Sequence, residues 1–315
     1  MTHAMEYRTL GRTGLHVSVL SLGGAAFGGQ YGAVTAADVG ATVGAALDAG
    51  VNLIDTSAFY GAGRSEELLG EVLAGRRERV VLCTKAGRLT RSDFDFTPAG
   101  MRASVEGSLR RLRTDRVEIL LAHDIEFADD YERVFTETAG VLHELKAEGK
   151  CRYVGMSGLP LGLLRQAIEK CQLDVVISYC HATLQNGRVL SELLPTADQF
   201  GVGVINASPL AMGLLTPGGP PPWNPAPAEI RAACRAASDY CESRGASLAT
   251  LGMQFAFAQA AVPTTLTGTA RPAELHANLA AMTTPPDADL LAGVRAILAP
   301  VLGQSWPTGN WREPA

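Results

Sequence analysis

From one end of the chain to the other, eight short apolar runs alternate with longer segments of helical period. They are VSVLSLGG, NLIDTS, VVLCTKAG, VEILLAHD, CRYVGMSG, DVVISYC, GVGVINASP and TTLTGT. Continuous apolar runs belong to strands buried on both faces, and an amphipathic helix after each one supplies the cover that a parallel sheet needs. Eight such units close into a barrel, so the expected fold is α/β, a (β/α)8 TIM barrel. The rival is an open doubly wound sheet. Its dinucleotide fingerprint, G-x-G-x-x-G after the first strand, is missing, because the glycines of SLGGAAFGG fall at other spacings.

Helix boundaries support the alternation. TAADVGATVGAALDAG opens on Thr35 with Asp38 three residues on and closes at Gly50. TPAGMRASVEGSLRRLRTD opens with Thr97 before Pro98 and carries Met101, Val105, Leu109 and Leu112 on one stripe. Two additions surround the barrel: YRTLGRTGLHVSV predicts a β-hairpin before the first strand, and DADLLAGVRAILAP an extra helix after the eighth unit. TPGGPPPWNPAPAE predicts a long loop after the seventh strand. With no repeat or low-complexity linker to divide the chain, residues 1–315 are expected to form one barrel domain.

A net charge of -5 and a pI near 5.7 leave no electrostatic footprint for nucleic acid or an anionic membrane. The one basic cluster, SLRRLRTDR, reads as the solvated end of a helix. Six cysteines without a CxxC pair read as reduced thiols rather than a metal site. There is no basic-then-apolar leader and no apolar stretch of about 18 residues. The expectation is a soluble, cytoplasmic protein, a monomer or small homo-oligomer, acting on a small molecule.

In such barrels the working residues sit at the C-terminal ends of the strands. Asp55 ends the second run, Tyr60 follows in its loop, Lys85 ends the third and His123 the fourth. Each alone is an ordinary strand-end polar residue; four from three neighbouring strands make a candidate catalytic group. A phenol titrates near ~10, too high for a base at neutral pH, but an adjacent ammonium favours phenolate. Lys85 supplies that charge, and Asp55 can hold Lys85 as an ion pair while sparing the phenol.

These residues carry a resemblance. GVNLIDTSAFYGAGRSEELLG, the Lys of TKAG, the His of LAHD, and GKCRYVGMSG together resemble the aldo-keto reductases over nearly the whole chain. Within that family, LAHDIEF, GLPLGLL, SYCH and INASPLAMGLLTPGGPPPW resemble the L-galactose dehydrogenase (aldose 1-dehydrogenase) group. The resemblance implies hydride transfer from the anomeric carbon of an aldose such as L-galactose or L-fucose to NAD(P), with Tyr60 taking the C1 hydroxyl proton, His123 orienting the substrate oxygen and a lactone leaving. Two alternatives share the fold: an NADPH-dependent aldehyde or ketone reductase, and a nucleotide-binding regulatory subunit.

The resemblance also implies a cofactor site. Ser157 and Gly158 stand where the family usually places Ser-Asn against the nicotinamide carboxamide, so Gly158 keeps only a backbone contact. Ser208, Leu210 and Gly213 lie in a segment resembling the loop over the pyrophosphate. Ala207 stands where many relatives carry an aromatic ring; Tyr179 either replaces that ring or is a buried structural tyrosine. His181 and Trp223 are candidates to face the sugar, against a polar loop contact for the first and a loop-pinning role for the second. In TGTARPAELHANLAAM, Gly268 and Thr269 lead into a helix whose N-terminal amides suit phosphate, with Arg271, Glu274 and Asn278 in the same site. The family's Lys and Arg for the NADP 2′-phosphate correspond to Gly268 and Glu274. A carboxylate accepts from a ribose hydroxyl and repels a phosphate, so NAD is expected to be preferred, with NADP still within reach through Arg271.

Overall fold

A computed structural model gives the structure of residues 4–313; the first three and last two residues of the unit expected over 1–315 lie outside the described residues. A two-stranded antiparallel hairpin, β1 (Tyr7–Thr9) and β2 (His16–Ser18), precedes the barrel. The barrel strands are β3 (Leu20–Gly23), β4 (Leu53–Asp55), β5 (Val81–Ala86), β6 (Val117–Ala122), β7 (Cys151–Gly158), β8 (Val175–Tyr179), β9 (Gly203–Ala207) and β10 (Thr264–Thr267). They run in chain order around a closed parallel barrel, sealed where β10 pairs with β3 through Thr265 and Leu20. All eight expected runs hold a barrel strand. The first is split: Val17 and Ser18 belong to the hairpin, and the chain turns at Val19, where the Ser18 hydroxyl donates to the Leu20 carbonyl at 2.7 Å.

The two periodicities of the sequence become two cores. Inside the barrel, Leu53, Cys83, Ile119, Leu121, Val175, Ile177, Ile205 and Leu266 pack with Leu10 and Val17 of the hairpin region, which plug the N-terminal end. Outside it, strand residues such as Leu22, Ile54, Leu82, Leu120 and Val154 meet the helical stripes. Helix Ala36–Asp48 is capped as expected, the Thr35 side chain and Asp38 forming a capping box. Helix Pro98–Leu112 starts from a Thr97 cap with Pro98 in its first turn and buries Met101, Val105, Leu109 and Leu112.

The arginine run at the end of that helix is not wholly solvated. Arg111 turns inward and its Nε donates to Glu66 Oε2 at 2.8 Å, while the Thr84 hydroxyl donates to Glu66 Oε1 at 2.5 Å. Glu66 lies on helix Arg64–Val72 and is fully buried, and a buried carboxylate without partners would be strongly unfavourable. The long Gly- and Pro-rich loop leaves β9 and runs to helix Ala228–Glu242; helix Leu248–Phe257 then leads into β10. The extra helix after the eighth unit is Ala288–Leu298. All six cysteines are buried and unpaired. No helix among the described residues is long and apolar enough to cross a membrane.

Candidate active site

Strands β4, β5 and β6 are neighbours in the barrel, so their C-terminal ends deliver Asp55, Lys85 and His123 to one rim. The His123 N–H donates to the Ala86 carbonyl at 2.9 Å, extending the ladder one residue past β6. Tyr60 sits in a tight turn whose N–H donates to the Ser57 carbonyl at 3.1 Å. Gly28, from the loop after β3, presses on that turn from above: a Cβ there would lie 2.5 Å from the Tyr60 carbonyl carbon, so only glycine lets the two loops meet.

Lys85 is the hub. Its Nζ lies 2.6 Å from Asp55 Oδ2, 2.8 Å from the Thr56 carbonyl and 3.2 Å from the Tyr60 hydroxyl, which uses all three ammonium hydrogens. Burial alone would lower the Lys85 pKa, but Asp55, Tyr60 and Cys83 outweigh it and hold the group charged. The Tyr60 hydroxyl accepts from Lys85, leaving its own hydrogen free for another acceptor. Its pKa nevertheless moves opposite to the sequence expectation: burial pushes it up to about 12, Lys85 pulls it down, and Asp55 and Asp124 add to the rise. Desolvation exceeds the pull of the nearby cation because most of the phenol is taken out of water.

His123 faces Tyr60 edge-on, with ring centroids 5.7 Å apart and planes at 89°. Burial, then Lys85 and Arg88, hold its pKa well below the usual range, so it is neutral. Its Nδ1 lies 2.8 Å from the Ser57 hydroxyl, which already accepts from the Phe59 N–H at 3.1 Å. The Ser57 hydroxyl also has a hydrogen to give, and with that hydrogen donated to Nδ1 the ring hydrogen is assigned to Nε2, on the side of Asp124.

Residues that sequence reasoning did not single out complete the rim. Asp124 pairs with Arg88, and Arg88 lies over the Phe59 ring at 3.9 Å. Glu126 is fully buried; its Oε1 accepts from the Leu159 N–H at 3.0 Å, the Tyr179 hydroxyl at 2.8 Å and the Thr308 hydroxyl at 3.2 Å. Burial, with Asp124 nearby, pushes its pKa up to about 7. Glu126 accounts for the Gly158 departure: a Cβ on Gly158 would lie 2.8 Å from Glu126 Oε2, so the carboxyl and a side chain at 158 compete for one space. The available signal was two acids in LAHDIEF directly after the strand-end histidine.

The other expected residues divide. Ser157 is buried and its hydroxyl accepts from the Asp124 N–H at 3.0 Å. The Tyr179 hydroxyl is tied to Glu126, and its ring packs on the cluster of Leu159, Cys180 and Leu184. His181, two residues past β8, has a buried ring 3.3 Å from the Ser178 hydroxyl, and besides burial it is the charges of Arg188 and Glu192, not those of the Lys85 cluster, that act on it. Burial, then the Arg188 charge, lowers its pKa to about 4. Trp223 meets Tyr31, of the loop after β3, edge-to-face at 5.8 Å.

β9 and β10 pair side by side, so the loops leaving them adjoin. In the β9 loop, Ser208, Ala211 and Met212 have φ of 52°, 50° and 52°, followed by Gly213 at 94°. Three left-handed non-glycine residues within five positions is a conformation proteins keep mostly at functional sites. Leu210 lies between them, partly buried. In the β10 loop, Gly268 faces open space. The Thr269 hydroxyl donates to Glu274 Oε2 at 2.6 Å, and Arg271 Nη1 lies 3.7 Å from Glu274 Oε1. Helix Pro272–Met282 starts there without a side-chain cap, and Asn278 follows Glu274 by one turn.

The sequence profile of the Aldo/keto reductase family matches residues 19–299. The chain is 40% identical to an L-galactose dehydrogenase of Arabidopsis thaliana over 97% of its own length and 98% of that relative. It is 31% identical to a pyridoxal 4-dehydrogenase of Microbacterium luteolum, covering 88% and 92% of the two chains. A D-threo-aldose 1-dehydrogenase of a Pseudomonas species is 29% identical over 84% and 89%. In fold it is similar to an aldo-keto reductase of Bacillus halodurans solved in its holo form, with a TM-score of 0.78, 24% identity, and 98% and 100% of the two chains covered.

Proposed function

The chain belongs to the aldo/keto reductase family of oxidoreductases, and from that premise we propose that it oxidises an aldose at C1, using NAD in preference to NADP and releasing a lactone. The proposed sugar is L-galactose or a stereochemical relative such as L-fucose. The observation that carries the reaction is the Tyr60 hydroxyl set 3.2 Å from an ammonium that Asp55 holds in place. The substrate class is inferred from the likeness to the Arabidopsis enzyme.

A bound nicotinamide supplies the hydride acceptor. Within the protein, Tyr60 Oη takes the C1 hydroxyl proton as the C1–H electron pair departs, and Lys85 stabilises the charge on that oxygen before the proton arrives. Asp55 keeps Lys85 ionised and aimed. The Nε2–H of neutral His123 donates to the reacting oxygen and fixes it against Tyr60.

The residues at the rim fit a dinucleotide. The left-handed β9 loop carrying Ser208, Leu210 and Gly213, the open step at Gly268 and the uncapped start of helix Pro272–Met282 offer backbone amides to phosphate. Ser157, Gly158 and Tyr179 are the candidates for the nicotinamide end. At the adenosine end, Glu274 is held by Thr269 and is the group proposed to accept a ribose 2′-hydroxyl. Arg271, with 71% of its side chain exposed and only a 3.7 Å approach to Glu274, stays free to meet a 2′-phosphate and is the route by which NADP would still be accepted.

The test is reduced-cofactor formation, followed by absorbance, across L- and D-aldoses with NAD and with NADP. L-Galactose and L-fucose are expected to be the best substrates, with NAD the better cofactor. Turnover of no aldose, alongside efficient reduction of simple aldehydes by NADPH, would favour the reductase alternative. Glu274→Arg is expected to shift the NADP-to-NAD ratio of kcat/KM toward NADP by roughly 10- to 100-fold, the worth of one charged hydrogen bond gained and one lost. An unchanged ratio would remove Glu274 from the cofactor argument.

A further inference from the structure

Directly after His123, Asp124 adopts the left-handed conformation, φ 53°, in which side chains other than asparagine and aspartate are rare. Its N–H is held by the Ser157 hydroxyl, and its carboxylate pairs with Arg88. Arg88 is itself fixed by three rings, its Cζ lying 3.9, 5.4 and 5.1 Å from the centroids of Phe59, Phe94 and Phe127. This is a rigid, nearly dry carboxylate, with 9% of its side chain exposed. A buried ion pair gains little over apolar packing, so stability alone is a weak reason to build one beside a reacting centre.

The separation of Asp124 from His123 is informative. Oδ2 lies 3.6 Å from His123 Nε2, too long for a hydrogen bond, so the Nε2–H donor and the carboxylate acceptor stand side by side and unjoined. Two neighbouring hydroxyls of a sugar present the complementary pair: one oxygen to accept from Nε2–H, and the next hydroxyl to donate to a carboxylate.

Building on the aldose reading above, we propose that Asp124, fixed by Arg88 and Ser157, binds the hydroxyl on the carbon next to the reacting one, and so selects 2-hydroxylated substrates over plain aldehydes and deoxy sugars. Arg88 and Ser157 are positioning residues in this arrangement. A site built to accept from a substrate hydroxyl discriminates against its absence because the carboxylate would be left dehydrated and underused.

The test measures kcat/KM of the full chain for L-galactose and for 2-deoxy-L-galactose, in the unmodified enzyme and in Asp124→Asn. The unmodified enzyme is expected to favour L-galactose by roughly 10- to 100-fold, the range of a charged hydrogen bond. Asp124→Asn is expected to lose most of that preference, the ratio of the two kcat/KM values falling toward one; the change in charge beside Tyr60 acts on both sugars alike and cancels in that ratio. Because both sugars are read on one enzyme preparation, partial misfolding cancels in the ratio. Should the lone Arg88 charge prevent folding, Asp124→Asn with Arg88→Met removes both buried charges and is read the same way. An equal fall on both sugars, or no preference in the unmodified enzyme, would overturn the assignment of Asp124 while leaving the aldose reading intact. Oxidation of neither sugar, nor of L-fucose or any other aldose, by the unmodified enzyme would overturn both.

Discussion

Tyr60→Phe is expected to lower turnover of the best aldose by roughly 10²- to 10⁴-fold, the usual worth of a positioned proton acceptor, with cofactor affinity almost unchanged. The substitution removes one oxygen and leaves the ring, so the edge-on contact with His123 and the pairing of Lys85 with Asp55 and the Thr56 carbonyl persist. The loss should therefore appear in kcat, with the dissociation constant of the dinucleotide, measured by fluorescence titration, as the control. A Tyr60→Phe enzyme with near-normal kcat would refute proton transfer through Tyr60. A large rise in the dinucleotide dissociation constant would show that the phenol acts mainly in binding.

Lys85→Met should be damaging in two separable ways. The first is stability: Lys85 and Asp55 each leave about 3% of the side chain exposed, and removing one partner strands the other charge. The cost for breaking such a pair is about 3–5 kcal/mol, read as a lowered midpoint in denaturant at neutral pH. Asp55→Asn with Lys85→Met, which removes both charges, should recover much of it.

The second effect is on the pH profile of sugar oxidation. Tyr60 is pushed up to about 12, so the phenolate is a minor form throughout the neutral range and grows about tenfold per pH unit below that value. The rate in the unmodified enzyme should rise from neutral into alkaline pH wherever chemistry limits turnover. Lys85 is the main group pulling Tyr60 down. Without it less phenolate exists at any given pH, and the rise should move to higher pH. A flat profile between neutral and alkaline pH, with a primary deuterium effect at C1 showing that chemistry limits, would count against Tyr60 as the base.

Much of the architecture was legible because it is written in local patterns. The eight apolar runs are unbroken because barrel strands are buried on both faces, and the helix starts at Thr35 and Thr97 are decided by side chains within three residues of the cap. Asp55, Lys85 and His123 could be picked out for a similar reason. A polar residue at the C-terminal end of a buried strand has only the rim to go to.

What escaped the sequence depended on groups far apart in the chain. SLRRLRTDR reads as solvated, yet Arg111 is drawn in by Glu66, 45 residues earlier, because a helix packed over β5 buries that carboxylate. The sign of the Tyr60 shift could not be read from having a lysine nearby, since it is set by burial of the whole rim, which no short segment records. Gly158 looks like a missing contact until Glu126 is seen filling its place, 32 positions away in the sequence. His181 shows the converse, a histidine just past a strand end whose charged neighbours are Arg188 and Glu192 rather than the Lys85 cluster.

The sequence by itself determined the order and kind of elements, their caps and the side chains that reach the barrel mouth, because these follow from hydrophobic period and short-range hydrogen bonding. Only the tertiary structure decided which of those side chains are dry, which charges face one another and which hydrogen each carries. Desolvation and Coulomb energies depend on distances through space, and those come into existence only when the barrel closes.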